Sequence, residues 1–385
     1  MDGKKRAYPA AEGCSMRHGY PPVWLSAALL ALALMWRMVG APLTATQFED
    51  MQTPLWQARV LLPTRVGRIL RLWMPGAQEA QAQTIREEAL GEEGQVLDRL
   101  MNGEDQRTIS VYLAQEGRVV EMALESYVCG VVAAEMPAAY HLEALKAQAV
   151  AARTRAIWQT ENGGCALHAG ADICTDSAHC QGYATPDQCR ELWGGEYTAY
   201  RDRVLQAVAA TRDELVTYGG QPITVMYHAI SGGRTEAAQT VFSQALPYLV
   251  SVESDGEEGV PGYQQDTFFT FDEMAALLGD AFDLDLTAQE VERTLAVAGY
   301  TDTGRVAAML VGDKEVEATA FRQALGLRST WFTMSMDGSG VTFHQRGYGH
   351  GVGMSQAGAN SMAADGADYR AILTHYYPGV LVEKR

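Results

Sequence analysis

Residues 124–159 read LESYVCGVVAAEMPAAYHLEALKAQAVAARTRAIWQ, two helical stretches with one break between them. The first is an apolar run that reaches Glu135 and stops at Pro137, which has no N–H to continue a helix. The second, 142–159, lacks Gly and Pro, is rich in Ala, and runs out at Asn162-Gly163-Gly164, so it predicts a helix. At about 100° per residue, Leu145, Ala149, Ala152 and Ala156 share a small-residue face that lets a second element come close. Lys146, Val150, Arg153 and Ile157 share another, either the edge of a pocket or a solvated face with snorkelling stems.

Upstream, 109–113 and 119–124 flank Gln115-Glu116-Gly117-Arg118 and predict a β-hairpin. Downstream, 197–211 predicts a helix, 215–218 and 223–230 a hairpin across Gly219-Gly220, and Gly232-Gly233 a break. Residues 268–300 predict an inserted helical pair, 271–281 and 287–298, with Thr287-x-x-Glu290 as a capping box and Gly299 as the stop. Strands return at 305–310, 331–336 and 341–345, the last two joined by Asp337-Gly338-Ser339-Gly340, and a helix at 354–364 closes the series. The class is α+β: mixed helices and antiparallel hairpins forming a groove over 107–383, with an inserted helical subdomain.

The amino terminus differs in kind. Lys4, Lys5, Arg6 and Arg17 precede an unbroken apolar run, VWLSAALLALALMW at 23–36, which extends to about membrane thickness through residue 41. The charge order puts 1–22 in the cytoplasm, a transmembrane helix at 23–41 and the rest outside, with 42–106 as a stalk. A cleaved signal peptide ending near 41 or 45 is the competing reading. Among 385 residues, 47% are hydrophobic and 20% charged, the balance of a folded protein. Thirty Lys and Arg against 47 Asp and Glu leave a net charge of −17, which opposes nucleic-acid binding.

Three clusters carry chemistry. Glu135 ends an apolar helix, where its charged form is disfavoured and its acid form is kept for proton donation; the bland reading is a helix-end Glu reaching solvent. His168, Cys174, His179 and Cys180, in the loop 165–189, supply the four N/S ligands of a closed structural zinc site. Disulfides, Cys174–Cys180 or Cys165–Cys189, compete with it. Arg346-Gly-Tyr-Gly-His350-Gly-Val-Gly-Met-Ser355-Gln356 is a glycine-rich stretch that permits close backbone approach, though it matches neither a nucleophile elbow nor a nucleotide-binding fingerprint. A catalytic zinc peptidase is disfavoured because no His-Glu-x-x-His occurs.

The runs 127–155 (YVCGVVAAEMPAAYHLEALKAQAVAARTR), 226–236 (MYHAISGGRTE) and 346–359 (RGYGHGVGMSQAGA) resemble the stage II sporulation protein D family, which also holds the amidase enhancers of bacterial cell walls. The resemblance spans about 107–383, and the zinc-type loop is similar to that of the sporulation proteins rather than the enhancers. It implies a membrane-anchored lytic transglycosylase cutting peptidoglycan glycan strands, preferably denuded of stem peptides, during forespore engulfment. It would act in the space between the mother-cell and forespore membranes, beside stage II sporulation proteins P and M. By the same resemblance Glu135 is the catalytic acid, Lys146, Gln148 and Arg153 are substrate-binding helix positions tied to activity, and Tyr227, Ser231, His350 and Gln356 are glycan-groove positions. One carboxylate suffices where ordinary glycosidases need two, because the substrate's own C6 hydroxyl is the nucleophile. A non-catalytic glycan-binding scaffold that stimulates an amidase is the main alternative.

Overall fold

The computed structural model describes residues 107–242 and 244–385, which fall within one compact unit. Strands β1 (Thr108–Leu113) and β2 (Arg118–Ala123) form the expected hairpin, with Val111 opposite Val120 and Gly117 taking the positive φ of the turn. The chain passes from Ala123 directly into helix α1 (Leu124–Glu135), whose next residue, Met136, is extended ahead of Pro137. Helix α2 (Leu142–Glu161) is buried on nearly every face, because its alanines let neighbours approach from all sides. Next come β3 (Ile173–Cys174), helix α3 (Pro186–Trp193), helix α4 (Tyr197–Ala210), β4 (Glu214–Tyr218), β5 (Gln221–Pro222), β6 (Tyr227–His228) and the short α5 (Ala238–Phe242). Helix α3 falls inside what the sequence predicts as loop, and a capping box between Thr185 and Gln188 starts it.

Residues 264–346 build a second lobe with its own core: β7 (Gln264–Thr270), α6 (Phe271–Phe282), α7 (Ala288–Thr294), β8 (Ala296–Tyr300), β9 (Val306–Val311), β10 (Lys314–Glu317), α8 (Ala318–Ala324), β11 (Phe332–Asp337) and β12 (Gly340–Arg346). Two three-stranded sheets, β11-β12-β7 and β10-β9-β8, flank Met274, Leu278, Met309, Phe321 and Phe343. This corrects the expected helical insertion at 268–300. Helix α7 ends at Thr294 rather than 298, because Ala296–Tyr300 pairs with β9 and its ladder bonds outweigh a weak helical preference.

The chain then returns to the first lobe through β13 (Met354–Ser355), helix α9 (Gln356–Ala364), helix α10 (Tyr369–Tyr376) and β14 (Leu381–Lys384). Helix α2 packs against α1, α4, α9, α10 and β4, so segments from both ends of the described chain meet on it. The hairpin expected at 215–230 is shorter. Gln221–Pro222 pairs with one edge of β4, whose other edge takes β14, while Tyr227–His228 pairs parallel with β13. That parallel pair, and another between β1 and β3, depart from the all-antiparallel expectation. The α+β class stands. The stub 1–22, the membrane span 23–41 and the stalk 42–106 lie outside the described residues, and among the described residues no helix is long and apolar enough to cross a membrane.

Candidate active site and metal centre

Cys165, Cys174, His179 and Cys180 bring one ligand atom each to within 4.8 Å of one another. His179 Nδ1 lies 3.6 Å from Cys165 Sγ, 3.4 Å from Cys174 Sγ and 3.3 Å from Cys180 Sγ. Zn–S and Zn–N bonds of about 2.3 and 2.0 Å at tetrahedral angles put S···N edges at about 3.5 Å, so the donor set fits a four-coordinate metal. The cluster can hold a metal ion. Burial raises the Cys174 and Cys180 thiols, and a bound cation would reverse that by stabilising thiolates.

The ligand set differs from the one predicted. His168 is not a member: its ring stacks on Tyr112 at 3.6 Å between centroids, and Cys165 takes the fourth place. The reason is a turn in which the Cys165 N–H bonds the Ala171 carbonyl, folding the thiol back toward β3. Cys174–Cys180 and Cys165–Cys189 disulfides do not form, and Cys189 sits buried on α3 as a free thiol.

Glu135 stands at the last turn of α1, half-buried. Its Oε1 accepts the Gly182 N–H at 2.6 Å, and Gln356 supplies a side-chain hydrogen bond. Burial raises its pKa above the usual carboxylate value, against the opposing pull of those two donors. Gly182 is tight by necessity, since a Cβ there would lie 3.0 Å from Glu135 Oε1. Behind Gln356, its Nε2 donates to Gln148 Oε1 at 3.4 Å, and Gln148, fully buried on α2, keeps its own Nε2 without a partner among the described residues. Tyr227 adds an electrostatic neighbour to Glu135, and the Gln181 Nε2 donates to its hydroxyl at 2.7 Å. His350 braces this strand by a hydrogen bond to the Tyr227 backbone, accepts the Val352 N–H at Nδ1, and is held neutral near pH 7 because burial, seconded by Arg322, lowers its pKa to about 4.

Glu135, Gln148, Tyr227, His350 and Gln356 are thus brought together. Three other expected positions are not. Arg153 is 1% exposed and spends its guanidinium on both Glu125 oxygens and on the carbonyls of Val208, Thr211 and Glu214, which corrects its reading as a glycan contact. Ser231 is 1% exposed and donates to Glu257, so it does not line a groove. Lys146 pairs with Glu143 at 2.6 Å and lies over the Tyr369 ring.

Sequence reasoning missed Gln181 and Gly182, whose only signal is that they follow Cys180 directly. It also missed Glu257, fully buried, which accepts from Ser231, Ser254, Ser355 and the Gly232 N–H. Ser355 in turn caps α9, so Glu257 sets where that helix presents Gln356.

A family model described as "Stage II sporulation protein" matches residues 112–218, the hairpin, α1, α2 and the metal loop through β4. The chain is 34% identical over 277 residues to stage II sporulation protein D of Bacillus subtilis, covering 72% of this chain and 79% of that one. It belongs to the stage II sporulation protein D family. The protein of that name from Bacillus amyloliquefaciens is also 34% identical, over 71% of this chain and 78% of its own. The amidase enhancer of Bacillus subtilis is 28% identical over 65% of this chain but 39% of its own length. In this member of the sporulation protein D family, the matched 112–218 holds Glu135 and all four metal donors, whereas Tyr227, His350 and Gln356 come from beyond it.

Proposed function

We propose that this chain is a lytic transglycosylase of sporulation that cleaves the MurNAc–GlcNAc β-1,4 bonds of denuded peptidoglycan strands and leaves 1,6-anhydro-MurNAc ends. The observation that carries the reading is Glu135: a half-buried carboxyl whose pKa is raised by burial and whose hydrogen-bond partners are two amides rather than a second carboxylate. A glycosidase that uses water or a covalent intermediate needs a carboxylate pair; a transglycosylase does not. Protonated Glu135 gives its proton to the glycosidic oxygen as the C1–O bond breaks. The C6 hydroxyl of the same MurNAc attacks C1, and the Glu135 carboxylate takes up the hydroxyl proton. Acid and base are one residue, and no water is consumed.

The Gly182 and Gln356 donors hold the carboxyl in place and stabilise its ionised form midway through the cycle. Gln148 orients Gln356 from behind. The donor set at Cys165, Cys174, His179 and Cys180 would hold Zn2+ in a closed structural site, whose bound charge stabilises the folded loop, and Gln181 and Gly182 follow its last ligand. The site of action in this reading is outside the cytoplasmic membrane, with the amino-terminal segment as anchor and stage II sporulation proteins P and M as partners.

Glu135→Gln should abolish anhydro-muramyl products, detected by mass spectrometry of denuded strands, while glycan binding persists. Wild-type turnover should fall as pH rises through the Glu135 pKa, because the acid form is lost. The likeness to the amidase enhancer favours a second reading, a glycan-binding scaffold; products from neither protein, with both binding glycan, would select it.

A further inference from the structure

We infer that Gln181 is a positioning residue whose side-chain amide fixes the direction in which the Tyr227 hydroxyl offers its proton to the bound amino sugar. The inference rests on the transglycosylase reading.

Gln181 is 1% exposed and Tyr127 fully buried. The Tyr127 hydroxyl donates to Gln181 Oε1 at 3.2 Å, and Gln181 Nε2 donates to the Tyr227 oxygen at 2.7 Å. The order of donors follows from satisfaction. Gln181 is the hydrogen-bond partner the structure gives the Tyr127 hydroxyl, and a buried hydroxyl proton needs an acceptor, so the amide must turn its oxygen to Tyr127 and its NH2 to Tyr227. Tyr227 then receives a hydrogen bond at its oxygen and cannot donate back along the same line. Its own proton is left to point away from Gln181, and Tyr227 is half-buried beside Glu135.

An acetamido carbonyl is the strongest neutral acceptor that the amino sugars of the strand carry. A donor held toward it before binding costs no reorganisation in the transition state. With the amide reversed, Tyr227 would donate to Gln181 and offer the sugar only lone pairs. Gln181 therefore acts on the reaction through Tyr227.

A double-mutant cycle on denuded glycan strands, reading anhydro-muramyl product, tests this. Gln181→Met and Tyr227→Phe are each expected to lower kcat about 10- to 100-fold with KM within about threefold. The double variant should match Tyr227→Phe alone, because the Gln181 side-chain amide meets the site at the Tyr227 hydroxyl. Equal loss from Gln181→Met in the wild-type and Tyr227→Phe backgrounds would overturn the inference, as would wild-type kcat in Gln181→Met. If Gln181→Met does not fold, Tyr127→Phe frees the same amide and runs the same cycle. Absence of product from the wild type would instead overturn the transglycosylase reading and this inference with it, and the wild-type arm alone identifies that case.

Discussion

Burying a guanidinium away from water is costly unless its charge and its N–H groups are all met, and Arg153 meets them with both oxygens of Glu125 at 2.6 and 2.7 Å and with three carbonyls. Removing one partner leaves the other charge stranded. Arg153→Met should therefore lower the unfolding free energy by about 3–5 kcal/mol in urea titration. It should leave glycan binding intact in the fraction that remains folded, and loss of binding at unchanged stability would restore Arg153 to the site. Sequence placed this residue with Val150 and Ile157 and left pocket edge and solvated face open, because its partner lies 28 residues upstream on another helix. Glu135 was legible, since an acid at the end of an apolar helix before a proline carries its own environment with it. Gln181 and Glu257 were not. Their partners, at Tyr127 and Tyr227 and at the serines 231, 254 and 355, meet only in three dimensions.

At the scale of elements, the helices that read most clearly are those with an uninterrupted run and a marked stop. Helix α1 ends at the predicted residue, and α2 exceeds its prediction by two. The pieces that misled are short ones whose state depends on a distant strand: Ala296–Tyr300 becomes β8 only because β9 is there to receive it, and β6 pairs with β13 across more than a hundred residues. The metal loop shows the same limit. Its four donors are within the predicted 165–189, but spacing along the chain could not separate Cys165 from His168, since the choice is made by the fold-back of Cys165 onto Ala171 and by the stacking of His168 on Tyr112. Metal content per chain distinguishes the two sets. With zinc in the proposed site, Cys165→Ala should lose most of the metal and lower the thermal midpoint, whereas His168→Ala should keep close to one equivalent; the reverse pattern would return the site to the two-histidine set.

The described residues hold two large cores, and the helix that carries Glu135 belongs to the first. The first lobe supplies Glu135, the metal loop and α2; the segment that returns after the second lobe supplies His350 and Gln356, and Glu257 ties it to the Gly232 turn. That arrangement explains why 226–236 and 346–359, far apart in sequence, both carry the family pattern: β6 and β13 pair side by side, and their glycines allow the approach. A Cβ at Gly349 would press on the His228 side chain at 2.7 Å, and Gly349 takes a positive φ of 117°. The α+β class followed from local patterning, whereas the second lobe's sheets did not, because β7 and β10 have no period strong enough to read alone. In the proposed transglycosylase, one carboxyl does the work of two by borrowing the sugar's own hydroxyl. Digestion of denuded strands in H2-18O, followed by mass spectrometry, tests it most directly: unlabelled 1,6-anhydro ends are expected, one water lighter than a hydrolysis product, and reducing ends carrying 18O would contradict it.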